Sequence, residues 1–395
     1  AVIFIEPETT TTEEATQKFL KIPLDVPRFY VKRSDGELLK NLLENGKVKV
    51  KVDLKMRFEE REVSNVIGII EGTDPTLKNE VVVVSAHYDT ISVVPELAPG
   101  TDDTTGIATL LELARVFKKY PSRRTIMLVA FSGHHFALQG AREFVDKHFD
   151  EIGHKIKLLV NLDLSMEKDA LVALWIGYFY QYDLDPGRFI WISQRISNDY
   201  MPQLYQLNKN YSGKFINAMD IGSWRRYIPF MTLDSEPFTV SGGLGFSFVT
   251  AMASKKYLNT PFDNLKNLNI ENVKPQADIA LWIIYNLANE DQLPECHATR
   301  FNPEGGGFPT LRGRVVTYNF EKGWYDSVPH ALVYLEGGPE TLIYNHKIVL
   351  ITDENGEFEF KGCLQSIVRG GGVYVTRYYT MLSLIHISEP TRPRL

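Results

Sequence analysis

The sequence predicts an α/β domain over residues 65–290, with a mostly parallel sheet flanked by helices, and two observations predict it. Short β-branched runs alternate there with segments of helical period, which is typical of a parallel sheet covered by helices. Three of the runs are almost continuously apolar, as strands buried on both faces are: 81–84, 125–131 and 156–162. Between the first two, Ile107, Leu110, Leu111 and Ala114 recur at the spacing of one helix face. We therefore expect a helix that packs this face on the sheet.

The pattern changes to a period of two after residue 309. The runs 314–319, 331–335 and 347–352 alternate as short strands do. Asn355-Gly356 lies between two apolar runs and predicts a hairpin turn, because glycine tolerates positive φ. The C-terminal part is therefore expected to be a β-sandwich.

These patterns divide the 395-residue chain into five parts. Residues 1–62 mix an apolar run, a threonine-rich turn and a leucine-spaced segment, as the remainder of a small α/β domain would. Residues 63–290 form the predicted α/β domain, and the prolines and glycines of 291–309 are typical of a linker. Residues 310–381 form the predicted sandwich, which we expect to be truncated. Residues 382–395 resemble a translated transposase adapter from DNA sequencing and are expected to be an artefact.

Composition excludes some partners. The net charge of −6 offers no basic surface for nucleic acid, and no apolar run is long enough to span a membrane. Cys296 and Cys363 lack metal-ligand spacing and are too few for a disulfide framework. They could pair with each other, but two isolated thiols are usually small buried hydrophobes.

Candidate metal ligands lie where predicted strands end. His87 and Asp89 follow the first buried run, two residues apart and so on one side of an extended chain. Asp102 and Asp103 precede the predicted helix, where they either bind a metal or simply cap the helix. Because ligands of open parallel sheets bind at the carboxyl ends of the strands, these residues predict a site there.

Five motifs in order give a family resemblance. They are His87-Tyr-Asp89, Gly100-Thr-Asp-Asp103, Phe131-Ser-Gly-His-His135, Asn161-Leu-Asp163 and Asn259-Thr-Pro-Phe-Asp263. Together they resemble the co-catalytic zinc aminopeptidases, a superfamily that also includes glutaminyl cyclases and the non-catalytic nicastrins and transferrin receptors. The resemblance covers residues 65–290 and implies a zinc exopeptidase or phosphorylase/hydrolase-like fold.

The flanking parts resemble two accessory modules. Residues 1–60 are similar to the C-terminal part of the protease-associated domain. The runs 331–335 and 352–358 resemble the carboxypeptidase regulatory-like module, an accessory sandwich without catalysis.

The resemblance implies a ligand set for one zinc. It comprises His87, a bridging aspartate at Asp102 or Asp103, and Asp163, and all of these residue types can bind zinc. Asp89 would fix the orientation of His87. The loop before the helix is one residue shorter than usual, so the choice between Asp102 and Asp103 stays open.

The remaining positions depart from the family. An acidic second-metal ligand is replaced by His135, the final histidine ligand by Asn259, and the acidic general base by His134. An amide oxygen is a poor zinc ligand, and an imidazole beside a dication is disfavoured from accepting a proton. We therefore expect one zinc or none.

Three functions are compatible with these departures. The first is a pseudo-peptidase that binds a peptide or protein ligand, and the second is an active exopeptidase with an altered metal site. The third is a glutaminyl cyclase-like enzyme, which ranks last because such cyclases depend on the residues that are replaced. The resemblance also implies an extracytoplasmic or secreted protein.

Overall fold

The fold was examined in a computed structural model. It describes residues 2–11, 28–46, 48–51, 53, 61–92, 97–177, 179–180, 186–219, 231–300, 307–336, 348–363, 372–376 and 385–387. Near the N-terminus, β1 (Val2–Ile5) pairs in parallel with β2 (Arg28–Val31), and helix α1 (Arg33–Glu44) follows.

A seven-stranded mixed sheet forms the centre of the protein, with the order β3-β5-β4-β6-β9-β7-β8. The strands are β3 (Val66–Ile70), β4 (Val81–His87), β5 (Thr125–Phe131), β6 (Ile156–Asp163), β7 (Leu171–Leu174), β8 (Phe215–Asn217) and β9 (Gly245–Thr250). The pairs β4/β5, β4/β6, β6/β9 and β7/β8 are parallel, whereas β3/β5 and β7/β9 are antiparallel. The predicted mostly parallel sheet is confirmed, and its three predicted strands are β4, β5 and β6.

Helices flank this sheet. They are α2 (Thr105–Lys119), α3 (Gln139–Lys147), α4 (Ile190–Gln194), α5 (Met201–Leu207), α6 (Glu236–Val240) and α7 (Val273–Asn289). A π-helical segment, Arg195–Tyr200, joins α4 to α5. Short 3-10 turns lie at Leu77–Asn79, Phe149–Glu151, Pro186–Phe189, Lys209–Tyr211 and Ile270–Asn272.

The face that α2 presents to the sheet agrees with the predicted one at Ile107 and Leu110 and differs from it at Leu111. Leu110, Leu113 and Phe117 are buried, whereas Leu111 is 68% exposed. The helix is therefore rotated relative to the predicted face. One cause is the close approach at Gly106, where an added Cβ would lie 2.3 Å from the carbonyl oxygen of Leu162.

The C-terminal part consists of two antiparallel sheets. Its strands are β10 (Thr310–Asn319), β11 (Trp324–Ser327), β12 (Leu332–Glu336), β13 (Ile348–Ile351), β14 (Glu357–Lys361), β15 (Gly372–Thr376) and β16 (Ile385–Ile387). Strand β10 pairs with β11, β14 and β16, and β12 pairs with β13 and β15. Of the segment 382–395, the structure describes 385–387 alone.

The hairpin predicted at Asn355-Gly356 is wrong as a two-stranded unit. Gly356 has the expected positive φ of 74°, and its backbone N–H donates to the carbonyl of Asp353. However, β13 before the turn pairs with β12, and β14 after it pairs with β10. The turn therefore carries the chain from one sheet to the other.

The C-terminal sheets pack on the α/β domain through a buried arginine. The Arg142 side chain donates to the carbonyl oxygens of Ala137 and Lys361, at 2.8 and 2.7 Å. Its guanidinium lies 3.9 Å from the centre of the Phe360 ring. Cys296 and Cys363 are both buried and are not joined in a disulfide, as the interpretation of isolated small hydrophobes predicted. Within the described residues, no helix combines the length and apolar character that membrane crossing requires.

Candidate functional site

The polar residues of the site are carried by the carboxyl ends of neighbouring strands. His87 ends β4, His134 and His135 follow β5, and Asp163 ends β6. Because β4, β5 and β6 run in parallel, their carboxyl ends meet at one edge of the sheet. Asp103, in the turn before α2, completes a buried cluster of imidazoles and carboxylates at this edge.

His87, Asp103 and His135 form one group of possible metal donors. The Nε2 atom of His87 lies 3.6 Å from Asp103 Oδ1, and the Nε2 atom of His135 lies 2.7 Å from Asp103 Oδ2. One donor atom from each residue lies within 4.8 Å of the others. Asp103 therefore holds the central position between the two imidazoles.

The charges in this group are strongly coupled. Burial would raise the pKa of Asp103, but His135 and His87 hold it well below its ordinary range. Burial would likewise lower the pKa of His87, but the carboxylates of Asp103 and Asp163 raise it to about 9. The site thus favours a carboxylate at Asp103 together with positive charge beside it.

Asp102 has a different environment. Its carboxylate accepts hydrogen bonds from the Ser165 hydroxyl at 2.8 Å and from the backbone N–H of Met166 at 2.6 Å. Its own backbone N–H donates to Asp263 at 2.7 Å. Burial raises the pKa of Asp102 to about 6, although nearby Lys255 opposes this shift. These contacts tie the turn before α2 to the loop after β6, and they leave Asp103 as the aspartate that faces His87 and His135.

His134 is stacked against His87 and backed by a carboxylate. The two rings are nearly parallel, with centroids 4.0 Å apart and an interplanar angle of 16°. The Nδ1 atom of His134 lies 2.8 Å from Oδ2 of the fully buried Asp234. Burial and the charges of His87 and His135 lower the pKa of His134 well below its ordinary value. Burial and these neighbours therefore disfavour the protonated form of His134, at a position where the resemblance places the general base.

Asp89 orients His87 through its backbone and not through its side chain. The Nδ1 atom of His87 lies 3.0 Å from the carbonyl oxygen of Asp89, but 3.9 Å from its carboxylate. The carboxylate instead accepts hydrogen bonds from the backbone N–H groups of His134 and His135. Asp89 thus fixes the loop that carries both histidines.

Sequence reasoning missed Lys255, which lies in the loop after β9. Its ammonium is buried and forms an ion pair with Oδ1 of Asp163. Burial alone would lower the pKa of Lys255, but the carboxylates of Asp163, Asp103 and Asp102 raise it above its ordinary value. The nearby Asn259 motif could have pointed to Lys255. A lysine four residues before an expected metal-ligand position lies in the same loop and so close to the site.

Asn259 lies at the edge of the cluster in a left-handed backbone conformation, with φ of 62°. Asparagine and histidine tolerate this conformation better than most residues. Among the described residues, neither side-chain atom of Asn259 has a hydrogen-bond partner. A cavity of about 20 Å³ lies beside it, bounded also by Asp103, His135, Asp163 and Lys255.

The donor types and their spacing fit zinc. Two imidazoles and a carboxylate are ligands that zinc prefers, and those of His87, Asp103 and His135 are already gathered. A second group, His87, His134 and Asp163, has the same donor types but shares His87 with the first. The expected set of His87, Asp102 or Asp103, and Asp163 is not among the groups gathered within 4.8 Å in the described part of the chain.

The fold and the site define an α/β protein with a buried cluster of histidines and aspartates at the carboxyl ends of its parallel strands. The model of peptidase family M28 matches residues 65–284, more than half of the chain. The protein belongs to peptidase family M28.

Relatives agree with this family. The chain is 24% identical over 278 residues to aminopeptidase YwaD of Bacillus subtilis, which covers 68% of this chain and 53% of the relative. It is 29% identical over 139 residues to leucine aminopeptidase 2 of Trichophyton equinum, covering 35% of this chain and 27% of the relative. The chain spans about half, or less, of the length of these curated relatives.

Solved structures of low identity are similar as well. A zinc aminopeptidase from Bacillus subtilis is 20% identical with a TM-score of 0.42, over 59% of this chain and 52% of that one. A glutaminyl cyclase from an Acidobacteriales bacterium is 20% identical with a TM-score of 0.41, over 57% of this chain and 73% of that one. Family membership rests on the sequence match.

Proposed function

We propose that this protein is a catalytically impaired member of its family, a pseudo-peptidase that holds one zinc ion and binds a peptide or protein ligand. The observation that carries the proposal is the place of His134, which is buried between the rings of His87 and His135 at the position where the family has an acidic general base. An imidazole whose pKa is lowered by burial and by two neighbouring imidazoles is a weak base. A general base works best when its pKa lies near the working pH.

The zinc ion would be held by His87, Asp103 and His135. When bound, zinc supplies a Lewis acid and lowers the pKa of a bound water. The chain's own residues then decide what can follow. Asn259 offers an amide oxygen where the family has an imidazole, so a second zinc would lack a strong ligand.

One observation favours the alternative of an active exopeptidase with an altered site. Asp234 lies 2.8 Å from Nδ1 of His134, and a buried carboxylate in this position stabilises an imidazolium and fixes the tautomer of the ring. A proton taken up at Nε2 of His134 would then be balanced by Asp234. The third possibility, a glutaminyl cyclase-like enzyme, has no such support from the site.

Metal content and activity measured on one preparation test the proposal. The protein is purified in zinc, freed of loosely bound metal and measured by elemental analysis. It is then assayed on a panel of aminoacyl p-nitroanilides beside the Bacillus subtilis aminopeptidase as the active control. We expect one zinc per chain and little or no hydrolysis. Two zinc ions together with hydrolysis near the rate of the control would overturn the proposal.

A matched pair of variants separates the two candidate functions. Asp234→Asn removes the charge behind His134, whereas Asp199→Asn removes a partly exposed carboxylate that is paired with Arg195. If the protein is active through His134, Asp234→Asn should lower kcat and Asp199→Asn should not. If it is a pseudo-peptidase, neither change alters the background rate.

The family also suggests a secreted or extracytoplasmic location, where extracellular peptides would be the available ligands.

A further inference from the structure

Asp163 is an unusual carboxylate because it is buried beside a lysine. Its side chain and that of Lys255 are 1% and 4% exposed, and Oδ1 of Asp163 contacts the ammonium directly. The second oxygen, Oδ2, has no hydrogen-bond partner among the residues described. A buried carboxylate is costly unless a cation balances it, so Lys255 provides the charge balance that a metal would otherwise provide.

The backbone of Lys255 supports a specific role for this side chain. Lys255 has a φ of 46°, in the left-handed region that residues other than glycine seldom adopt. Such conformations persist where the surrounding structure determines them, often at functional sites. With this backbone conformation the long side chain of Lys255 points into the buried cluster and contacts Asp163. The neighbouring Lys256 instead points to the surface, where its ammonium lies over the Tyr257 ring.

We infer that the Lys255 ammonium is an internal cation that replaces a metal ion at Asp163 and withdraws this carboxylate from zinc binding. The inference rests on the proposed function and extends it. Lys255 would explain how the cluster stays folded with fewer metal ions. It would also explain why a zinc held at Asp103 cannot recruit Asp163, since the ammonium and the ion compete for the same oxygen.

The test replaces the charge and keeps the shape. Lys255→Met retains an unbranched side chain of similar length, and the control Lys256→Met makes the same change one residue away. Zinc affinity is measured by competition with a chromophoric chelator. We expect Lys255→Met to bind zinc at least about tenfold more tightly, because the substitution removes a positive charge beside the ion and releases the Asp163 oxygen. Lys256→Met should match the wild type.

A double variant shows whether the gain depends on Asp163. Lys255→Met with Asp163→Asn should return zinc affinity to the wild-type level or below it. Thermal unfolding in chelator supplies a reading that does not involve zinc. Each single change should lower the unfolding temperature, and the double variant should recover part of that loss, since no unpaired charge remains.

The outcomes distinguish the inference from the proposed function. Unchanged or weaker zinc binding by Lys255→Met overturns the role of Lys255, as does strict additivity of the two unfolding shifts. If Lys255→Met folds only when zinc is present, the inference is supported. If it stays unfolded with zinc while the double variant folds, the inference is wrong. Efficient peptide hydrolysis by the wild type rejects the proposed function whatever Lys255→Met does.

Discussion

The carboxylate of Asp89 accepts a hydrogen bond from the backbone N–H of His134 at 3.1 Å. This contact ties the loop after β5 to the loop after β4, so two strand ends are held in register at the site. Its other oxygen accepts from the backbone N–H of His135 at 3.3 Å. The orientation of both histidines therefore depends on a residue that is not placed to bind metal itself.

Asp89→Asn should destabilise the protein and weaken zinc binding. An asparagine keeps one acceptor oxygen but turns an NH₂ group toward the second backbone N–H. Losing a hydrogen bond to a charged group costs about 1.5–3 kcal/mol. Urea unfolding measures this change, with the exposed Asp150→Asn as control. Equal stability of Asp89→Asn and wild type would show that the loop is held by other contacts.

His87→Ala should release the zinc ion. His87 belongs to both groups of gathered donors, so no group of three is left when its imidazole is lost. Elemental analysis should fall from one zinc per chain to none. His154→Ala removes an exposed imidazole outside the cluster and serves as control. Retention of zinc by His87→Ala would place the metal elsewhere.

Restoring the family residues should restore chemistry only when Lys255 is changed as well. His134→Glu, His135→Glu and Asn259→His return the general base and two ligands, and a positioned general base typically contributes ~10²–10⁴-fold in rate. We expect the triple variant to remain weak and the quadruple variant with Lys255→Met to bind two zinc ions and cleave leucine p-nitroanilide. Elemental analysis and initial rates on both variants decide this.

The triple and the quadruple variant can each give a result that contradicts this expectation. Full activity in the triple variant would mean that Lys255 does not block Asp163. A quadruple variant that binds two zinc ions but stays inert would mean that the substrate pocket has diverged, which favours a binding role.

Much of the fold followed from local sequence pattern. The run 125–131 coincides with β5, because a continuous apolar run between turn signals can be buried as a strand without reference to other segments. The exposed Leu111 could not be predicted in this way. The rotation of α2 depends on how closely its first turn approaches β6, which is a property of the assembled sheet.

The candidate site could likewise be predicted only in part from local sequence pattern. His87 and Asp163 could be placed at strand ends from their positions after apolar runs. The pairing of Lys255 with Asp163 joins residues 92 positions apart, and it depends on a left-handed backbone conformation that lysine seldom adopts, so the local pattern does not predict it. The different surroundings of Asp102 and Asp103 likewise depend on the contact between Ser165 and Asp102, which joins residues 63 positions apart.

Stability should depend on pH through Asp146. Its carboxylate contacts Arg300 at 2.5 Å and Lys361 at 3.0 Å. Burial would raise the pKa of Asp146, but these two cations lower it below its ordinary value. An aspartate with a depressed pKa stabilises the folded state above its unfolded pKa, and the contribution is lost as the pH falls through the folded value.

Asp146→Asn isolates this contribution. Because the group is partly exposed, we expect a loss of about 1 kcal/mol or less at pH 7. The difference from wild type should shrink as the pH falls below the ordinary aspartate range. Urea unfolding of both proteins at several pH values measures it. A difference that stays constant down to the lowest pH at which both fold would show that charge is not the cause.

Arg142 should link the unfolding of the C-terminal sheets to that of the α/β domain. The side chain is buried, donates to carbonyl oxygens in both parts and lies over Phe360. Arg142→Met keeps the apolar contact but leaves two carbonyl oxygens without their donor, at about 1–3 kcal/mol for each buried group left unpaired.

We expect one cooperative urea transition in the wild type and an earlier, separate transition of the C-terminal sheets in Arg142→Met. Limited proteolysis with mass spectrometry can locate the first cleavage and so show whether the C-terminal sheets open first. The matched control, Arg115→Met, removes an exposed arginine on α2 that pairs with Glu112, and should leave a single transition. Coincident transitions in Arg142→Met, at an unchanged midpoint, would show that the two parts are joined by other contacts.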